Sequence, residues 1–207
     1  MGSGALIGDK FVVTANHVVK DRATDKVTVN FPNQSITGNV ISVDKDFDIA
    51  FIVLDEMPKC KPFEVSVALF IEPLSVQGYG RKGKYKQRWG MLSDSIATGK
   101  GESEWRKVDV ETRSGDSGGP VIDVRGAFVG TLWGSVDGNT YFTPADKILK
   151  LLERIKVNTI DIKIVSRYHA RGRVERFFKR STLLGGRYHS RKRVEKFFKR
   201  STRKVVA

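Results

Sequence analysis

Short apolar runs broken by Gly, Asn and Asp recur along the first 145 residues, and their length and alternation favour strands over helices. Candidate strands cover residues 5–7, 11–14, 26–31, 38–43, 49–54 and 65–70, then 75–78, 88–96, 107–111, 120–123, 127–133 and 140–142. A break near residues 60–72 sorts them into two sets. The period changes at Thr143-Pro144-Ala145-Asp146. There Thr143 is suited to cap a helix, Pro144 to its first position and Asp146 to the place of a capping-box acid. Ile148, Leu149, Leu151, Leu152 and Ile155 then recur at helical spacing, which predicts a closing helix over 144–156. The pattern describes an all-β body followed by one helix.

Chemistry concentrates in Ser114-Gly115-Asp116-Ser117-Gly118-Gly119-Pro120-Val121. A serine hydroxyl is a poor nucleophile at neutral pH and needs both a base and donors for the oxyanion its attack creates. Gly115 permits a tight turn that aims the N–H groups of Gly115 and Ser117 into one hole, and Gly118 and Gly119 keep bulk from the attacking oxygen. Of the three histidines, His169 and His189 lie in a basic tail, whereas His17 ends the apolar run Phe11-Val12-Val13-Thr14-Ala15-Asn16. Asp48 opens the apolar run Ile49-Ala50-Phe51-Ile52-Val53-Leu54 and is the candidate to orient the imidazole. Asp46 is the second choice, and Asp44 and Asp46 read as exposed turn residues. Taken singly, each of these residues has an ordinary structural reading, as a core histidine, a turn acid or a hairpin glycine.

Thr14-Ala15-Asn16-His17-Val18-Val19, Asp48-Ile49-Ala50 and Gly115-Asp116-Ser117-Gly118-Gly119-Pro120 resemble, in order, the three signatures of the trypsin-like (chymotrypsin-fold) serine proteases. The resemblance runs roughly from residue 2 to residue 155. It implies a two-barrel chymotrypsin-like fold over residues 1–160, with a first barrel over 1–60 and a second over 72–145. The active site lies between them, His17 and Asp48 from the first barrel and Ser117 from the second. It implies peptide hydrolysis by His17, Asp48 and Ser117, with an oxyanion hole from Gly115 and Ser117 and no cofactor or metal.

Only 16 residues precede His17, so the first barrel is expected to lack its opening strand. Secreted relatives pair a freed N-terminus with the acid before the nucleophile. No such activation segment is visible here, so Asp116 needs another partner. The short spacings resemble the Deg/HtrA group and the polyprotein proteases of positive-strand RNA viruses. Gly2-Ser3-Gly4 resembles the former, and the string from Thr112 to Gly118 resembles the sobemovirus and astrovirus-like pattern Thr-x-x-Gly-x-Ser-Gly. The preferred reading is a viral polyprotein protease, and the alternatives are a Deg-type quality-control protease and a catalytically vestigial fold that serves to bind RNA.

For the substrate pocket the resemblance points to Glu111, Thr112, Trp133, Gly134 and Ser135. Glu111 lies six residues before Ser117, where trypsin carries an acid, and a buried carboxylate there favours a basic side chain at the scissile position. Thr112 matches the viral pattern for Glu or Gln, but the later strand Gly130-Thr131-Leu132-Trp133-Gly134-Ser135 lacks the accompanying histidine.

Charge divides the chain into two kinds of polymer. The net charge of +14 resides in residues 163–207, which hold 16 basic and 2 acidic residues; the first 162 hold 21 of each. Residues 167–182 and 187–202 are a tandem repeat, identical at 13 of 16 positions. Each copy places Val and two Phe at helical spacing with a Glu–Lys pair four residues apart, as in a short basic amphipathic helix formed on contact with a partner. The preferred partner is RNA. Arg167, Arg171, Arg173, Arg187, Arg191, Lys192 and Arg193 neutralise phosphates, and Tyr168 and Tyr188 supply rings for stacking. Alternatives are a pair of genome-linked peptides with Tyr168 and Tyr188 as nucleotide acceptors, an anionic-membrane contact, or a solvated disordered tail.

Cys60 is the single cysteine and cannot form an internal disulfide. Together with a start that lacks a signal peptide and the absence of a run near membrane-spanning length, it predicts a cytoplasmic, non-secreted protein without an integral membrane segment. A polypeptide substrate is the expected partner, and the sequence leaves the oligomeric state open.

Overall fold

The computed structural model describes residues 1–20, 26–66, 72–98, 104–155 and 162–164, with the side chains of 94–98 left aside; these residues belong to a unit spanning Met1–Val165. The tandem repeats, with their Arg, Lys, Tyr and His residues, lie outside the described residues.

The first half is a five-stranded antiparallel sheet in the order β1-β2-β5-β4-β3, from β1 (Ala5–Gly8), β2 (Phe11–Ala15), β3 (Lys26–Phe31), β4 (Gln34–Asp44) and β5 (Ile49–Leu54). The second half is a closed barrel. It is built from β6 (Pro73–Gly78), β7 (Lys86–Thr98), β8 (Glu104–Val108), β9 (Pro120–Ile122), β10 (Phe128–Val136) and β11 (Asn139–Pro144), in the order β10-β11-β8-β7-β6-β9. Mostly β structure in two such halves is the architecture expected of a chymotrypsin-like fold. The expected first barrel, however, is an open sheet among the described residues.

The central strand β5 shows why the sheet forms. Its six residues are all apolar because both faces are covered. Ile49 and Phe51 point to one core with Ala5, Ile7, Phe11 and Val13, while Ala50, Ile52 and Leu54 point to another with Leu6, Val12, Val27 and Ile36. The first of these cores also takes Val65 and Phe128, and Ala145, Ile148, Leu151 and Leu152 of the helix α2 (Ala145–Arg154). It therefore joins the sheet to the barrel. The barrel has its own interior of Leu74, Val76, Leu92, Val108, Val110, Val121, Val129, Leu132 and Phe142.

Two local expectations are corrected. Thr143 does not cap α2. It is the penultimate residue of β11, and its hydroxyl donates to the carbonyl of Phe47 at 2.7 Å, tying the barrel to the turn before Asp48. The extended residue preceding α2 is Pro144, which offers no side-chain cap. Of the strand expected over 65–70, Val65 forms only isolated bridges, to Phe128 and Ile164, and residues 67–71 lie outside the described set.

A buried acid cluster sits beside that segment. Asp123 accepts the backbone N–H of Arg125 and Ala127 and pairs with the Arg125 guanidinium, which also donates to Ser66 Oγ at 2.7 Å. Burial first, and then the charge of Asp123, push the nearby Glu72 carboxyl up from 4.5 to about 7, against the opposing pull of Arg125. Below pH 4.5 the acid is neutral both folded and unfolded. As pH rises, the unfolded chain ionises first, so this contribution to stability is lost between about 4.5 and about 7 and stays lost above. Glu72→Gln is therefore expected to gain stability over wild type, by on the order of 2–3 kcal/mol, between pH 4 and pH 8. Urea unfolding of both proteins across that range checks this, and a pH-independent difference would contradict it.

Candidate active site

His17 is positioned by strand register. Pairing of β2 with β5 sets Ala15 opposite Ile49, so the next backbone bond runs from Asn16 N to Asp48 O at 2.9 Å. The chain then enters a single helical turn, α1 (Asn16–Val19), that carries His17. The Asp48 carboxylate grips this residue twice. Oδ1 accepts the His17 backbone N–H at 2.9 Å, and Oδ2 lies 2.5 Å from Nδ1. A carboxylate only accepts, so Nδ1 carries the proton and Nε2 is left as the basic nitrogen. Asp48 is 8% exposed and holds a left-handed backbone with φ of 53°, a cost retained where the surroundings over-determine it. Here they do. Asp44 Oδ1 accepts Phe47 N at 2.8 Å, and Thr143 fixes the Phe47 carbonyl. Asp46 is exposed and takes no part.

Ser117 lies on a loop wedged against the same junction. Gly118 has φ of 84°, and a Cβ there would stand 2.2 Å from Thr14 Oγ1 and 2.9 Å from Ala15 N, so only glycine fits. A Cβ on Gly2 would touch Val18 at 2.5 Å and the Ser117 carbonyl at 3.1 Å, so one small space separates the loop from α1. Among the described residues no hydrogen bond joins Ser117 to the His17 ring, and the N–H groups of Gly115 and Ser117 have no acceptor. Catalytic hydrogen bonds often tighten only when substrate is bound.

The loop is held by residues that the sequence pattern assigns no role. Ser3 N donates to the Ser117 carbonyl at 2.8 Å and Ser3 Oγ to the Gly115 carbonyl at 2.9 Å, while Ser3 O accepts Thr14 Oγ1 at 2.7 Å and Ser3 Oγ accepts Tyr79 N at 3.2 Å. Asp116 is fully buried, and its partner is Arg88 of β7, Nη1 to Oδ2 at 2.8 Å, assisted by Arg113 N at 2.9 Å. Its Oδ1 has no partner among the described residues and faces Gly78. Ser3 stood out in the sequence only as part of the Gly-Ser-Gly opening. For Arg88 the only signal was an arginine opening the strand expected over 88–96.

The substrate-pocket residues divide. Val110 and Thr112 point inward and Glu111 outward, as alternation in an extended segment requires, so Glu111 is exposed. This removes the buried carboxylate on which a basic scissile residue rested. Thr112 is buried instead, its hydroxyl 3.1 Å from that of Thr140, and the Thr131 hydroxyl, on β10, is buried without a partner among the described residues. Trp133 stacks on Trp105 with centroids 4.9 Å apart and meets Tyr141 edge-on at 6.4 Å. Gly134 follows a bulge and faces open space among the described residues, and Ser135 donates to Asn139 O at 2.9 Å. Cys60 is exposed. Among the described residues no group of three or more His, Cys, Asp or Glu could hold a metal ion, and no helix is long and apolar enough to cross a membrane.

Residues 2–130 match the family model of the trypsin-like peptidase domain. The chain belongs to that family. Serine protease Rv3671c of Mycobacterium tuberculosis is 28% identical over 153 residues, covering 68% of this chain and 38% of its own length. An HtrA-like serine protease of Staphylococcus epidermidis is 27% identical over 186 residues, 75% of this chain and 31% of its own. Putative protease Do-like 14 of Arabidopsis thaliana is 28% identical over 178 residues, 75% and 41%. The trypsin-like chain thus spans less than half the length of these relatives. The crystal structure of the Rv3671c protease in its inactive form superposes with a TM-score of 0.66 at 23% identity, covering 75% of this chain and 84% of that one. The MamO protease domain of Magnetospirillum magneticum gives 0.63 at 20%, covering 73% and 87%. These likenesses establish the fold.

Removing Arg88 leaves the Asp116 carboxylate buried without its counter-charge. Arg88→Ala is expected to lower unfolding stability by about 3–5 kcal/mol, and Arg88→Met with Asp116→Asn to recover most of it. Urea unfolding of the single and double variants measures this, and equal stability of Arg88→Ala and wild type would refute it.

Proposed function

We propose that the chain is a serine endopeptidase of the HtrA type. One observation supports the reading: Asp48 holds the His17 imidazole on α1, and Val18 of the same turn and the Ser117 carbonyl both lie within 3.1 Å of where a Cβ on Gly2 would stand. Ser117 Oγ attacks the peptide carbonyl while His17 Nε2 takes its proton. Asp48 holds the ring in the tautomer this requires and stabilises the imidazolium. The vacant N–H groups of Gly115 and Ser117 receive the oxyanion. Collapse breaks the C–N bond, and His17 gives its proton to the leaving amine. Water, deprotonated by the same nitrogen, then releases the acyl group. The edge at Trp133, Gly134 and Ser135 supports the substrate backbone N-terminal to the scissile bond. Where the resemblance places the substrate pocket, the buried groups are the hydroxyls of Thr112 and Thr140 and not the Glu111 carboxylate, which fits an uncharged side chain better than a basic one. The alternative setting, polyprotein processing, rests on the Thr112–Gly118 string and the short spacings alone, whereas the relatives include HtrA-like and Do-like proteases.

A fluorophosphonate probe tests the nucleophile. Labelling of wild type, none of Ser117→Ala, and a fall in kcat of about 10⁴-fold for Asp48→Asn are the expected results. Folded wild-type protein that resists labelling would reject the assignment.

We propose RNA as the partner of the 163–207 tail, on the strength of its 16 basic residues and repeated Tyr and Phe. Deleting residues 167–207 is expected to abolish steeply salt-dependent RNA binding while peptide cleavage persists. Filter binding at two salt concentrations decides, and undiminished RNA affinity in the truncated protein would exclude this role.

A further inference from the structure

The first 162 residues are neutral as a whole, yet one hairpin among them is strongly cationic. Between β6 and β7 the chain reads Tyr79-Gly80-Arg81-Lys82-Gly83-Lys84-Tyr85-Lys86, and no acid occurs between Glu72 and Asp94. Residues 81–87 are exposed, and among the described residues Arg81, Lys82, Lys84 and Lys86 form no ion pair. Like charges so close repel one another, and no ion pair among the described residues offsets that repulsion. Nor is the hairpin loosely held. Gly80 and Gly83 turn it with φ of 60° and 66°, Gly83 N donates to Gly80 O at 3.2 Å, and Tyr85 OH donates to Gln77 Oε1 at 2.8 Å.

Its place in the barrel gives the charge a meaning. Strand β9, which follows Ser117 directly, is flanked by β6 on one side and β10 on the other. The hairpin continues β6, while the Trp133–Gly134–Ser135 edge lies on β10. The two features therefore stand on opposite flanks of the nucleophile loop. The hairpin also touches that loop, since a Cβ on Gly115 would lie 2.5 Å from Gly80 C and 2.6 Å from Arg81 N. A polypeptide whose N-terminal half follows β10 and crosses Ser117 leaves over this hairpin.

We propose that Arg81, Lys82, Lys84 and Lys86 form a docking surface for acidic side chains of the polypeptide substrate, C-terminal to the scissile bond. The proposal deepens the endopeptidase reading and rests on Ser117 as its nucleophile. A polypeptide is favoured over RNA by the tyrosines. Tyr79 and Tyr85 face each other edge-on at 5.6 Å, and the Tyr85 hydroxyl is bonded to Gln77, so the rings are engaged with the hairpin itself instead of being presented flat to a base. A few solvent-facing charge pairs add modest affinity and sharper selectivity, which suits choice among cleavage sites.

The test uses the full chain and a variant carrying Arg81→Gln, Lys82→Gln, Lys84→Gln and Lys86→Gln, with folding of both verified by circular dichroism. In the first arm each protein digests a decapeptide library, and mass spectrometry maps the cleaved bonds. Asp and Glu are expected to be enriched several-fold just after the bond for the intact protein and not for the variant. In the second arm Ser117→Ala, with and without the four hairpin changes, binds a fluorescent decapeptide bearing four Glu or its Gln counterpart. A preference for Glu of about tenfold at low salt, reduced to less than about twofold by the hairpin changes, is expected of exposed charge pairs. A Glu preference that survives the hairpin changes overturns the proposal and moves the site elsewhere, as does enrichment of acids only before the bond. Loss of oligouridylate binding in the variant with unchanged peptide preference assigns the surface to RNA and likewise overturns it. The second arm needs no hydrolysis, so a failed nucleophile assignment shows as absent fluorophosphonate labelling, whereas a failed docking surface shows as absent charge preference.

Discussion

A fully buried carboxylate on the residue before the proposed nucleophile is the constraint around which the barrel side of the cleft is arranged. Asp116 has to be neutralised where it sits, and Arg88 does so across the barrel at 2.8 Å. Neutralised, it anchors a turn in which Asp116 N donates to Arg113 O and Gly119 N to Asp116 O, each at 2.9 Å. Those bonds keep the N–H groups of Gly115 and Ser117 out of the local network. Ser3 secures the carbonyls of the same two residues, and Gly78 and Gly80 let the cationic hairpin approach. An ion pair between two segments of one chain thus neutralises the acid.

The sheet side obeys a different control. His17 and Asp48 meet because β2 and β5 pair with Ala15 opposite Ile49, and a slip of one residue would turn every core side chain of β2 toward the wrong face. The two apolar cores on either side of β5 therefore enforce the hydrogen bond to the imidazole. Thr143 then joins the halves, because its hydroxyl reaches the backbone one residue before Asp48. Packing sets the register, and register sets the chemistry.

Much of this was legible in the sequence because it is periodic or local. The strands Lys26–Phe31 and Ile49–Leu54 have the bounds their patterns announce, the first by alternation and the second by an unbroken apolar run. His17 and Asp48 were readable as residues at the ends of buried strands. What escaped depends on distance in sequence. The Asp116 partner lies 28 residues away, among 37 basic residues that nothing local ranks. The role of Ser3 arises from four bonds to three other segments. Glu111 was assigned from a spacing, and alternation turned it outward. Thr143 has the chemistry of a cap, but β11 runs through it to Pro144, so its hydroxyl serves a distant carbonyl instead.

The contrast between a closed barrel and an open sheet has a consequence for the solubility of the fold. The barrel has no unpaired strand, so it offers no template for another chain. The sheet that carries His17 ends in β1 and β3, and among the described residues β3 pairs only with β4. Its outward positions are Lys26, Thr28 and Asn30, a charge and two polar groups along the border where a second molecule would add. Substituting these with apolar β-formers would convert the histidine half of the molecule into a nucleus for intermolecular association, while the serine half would stay inert to it.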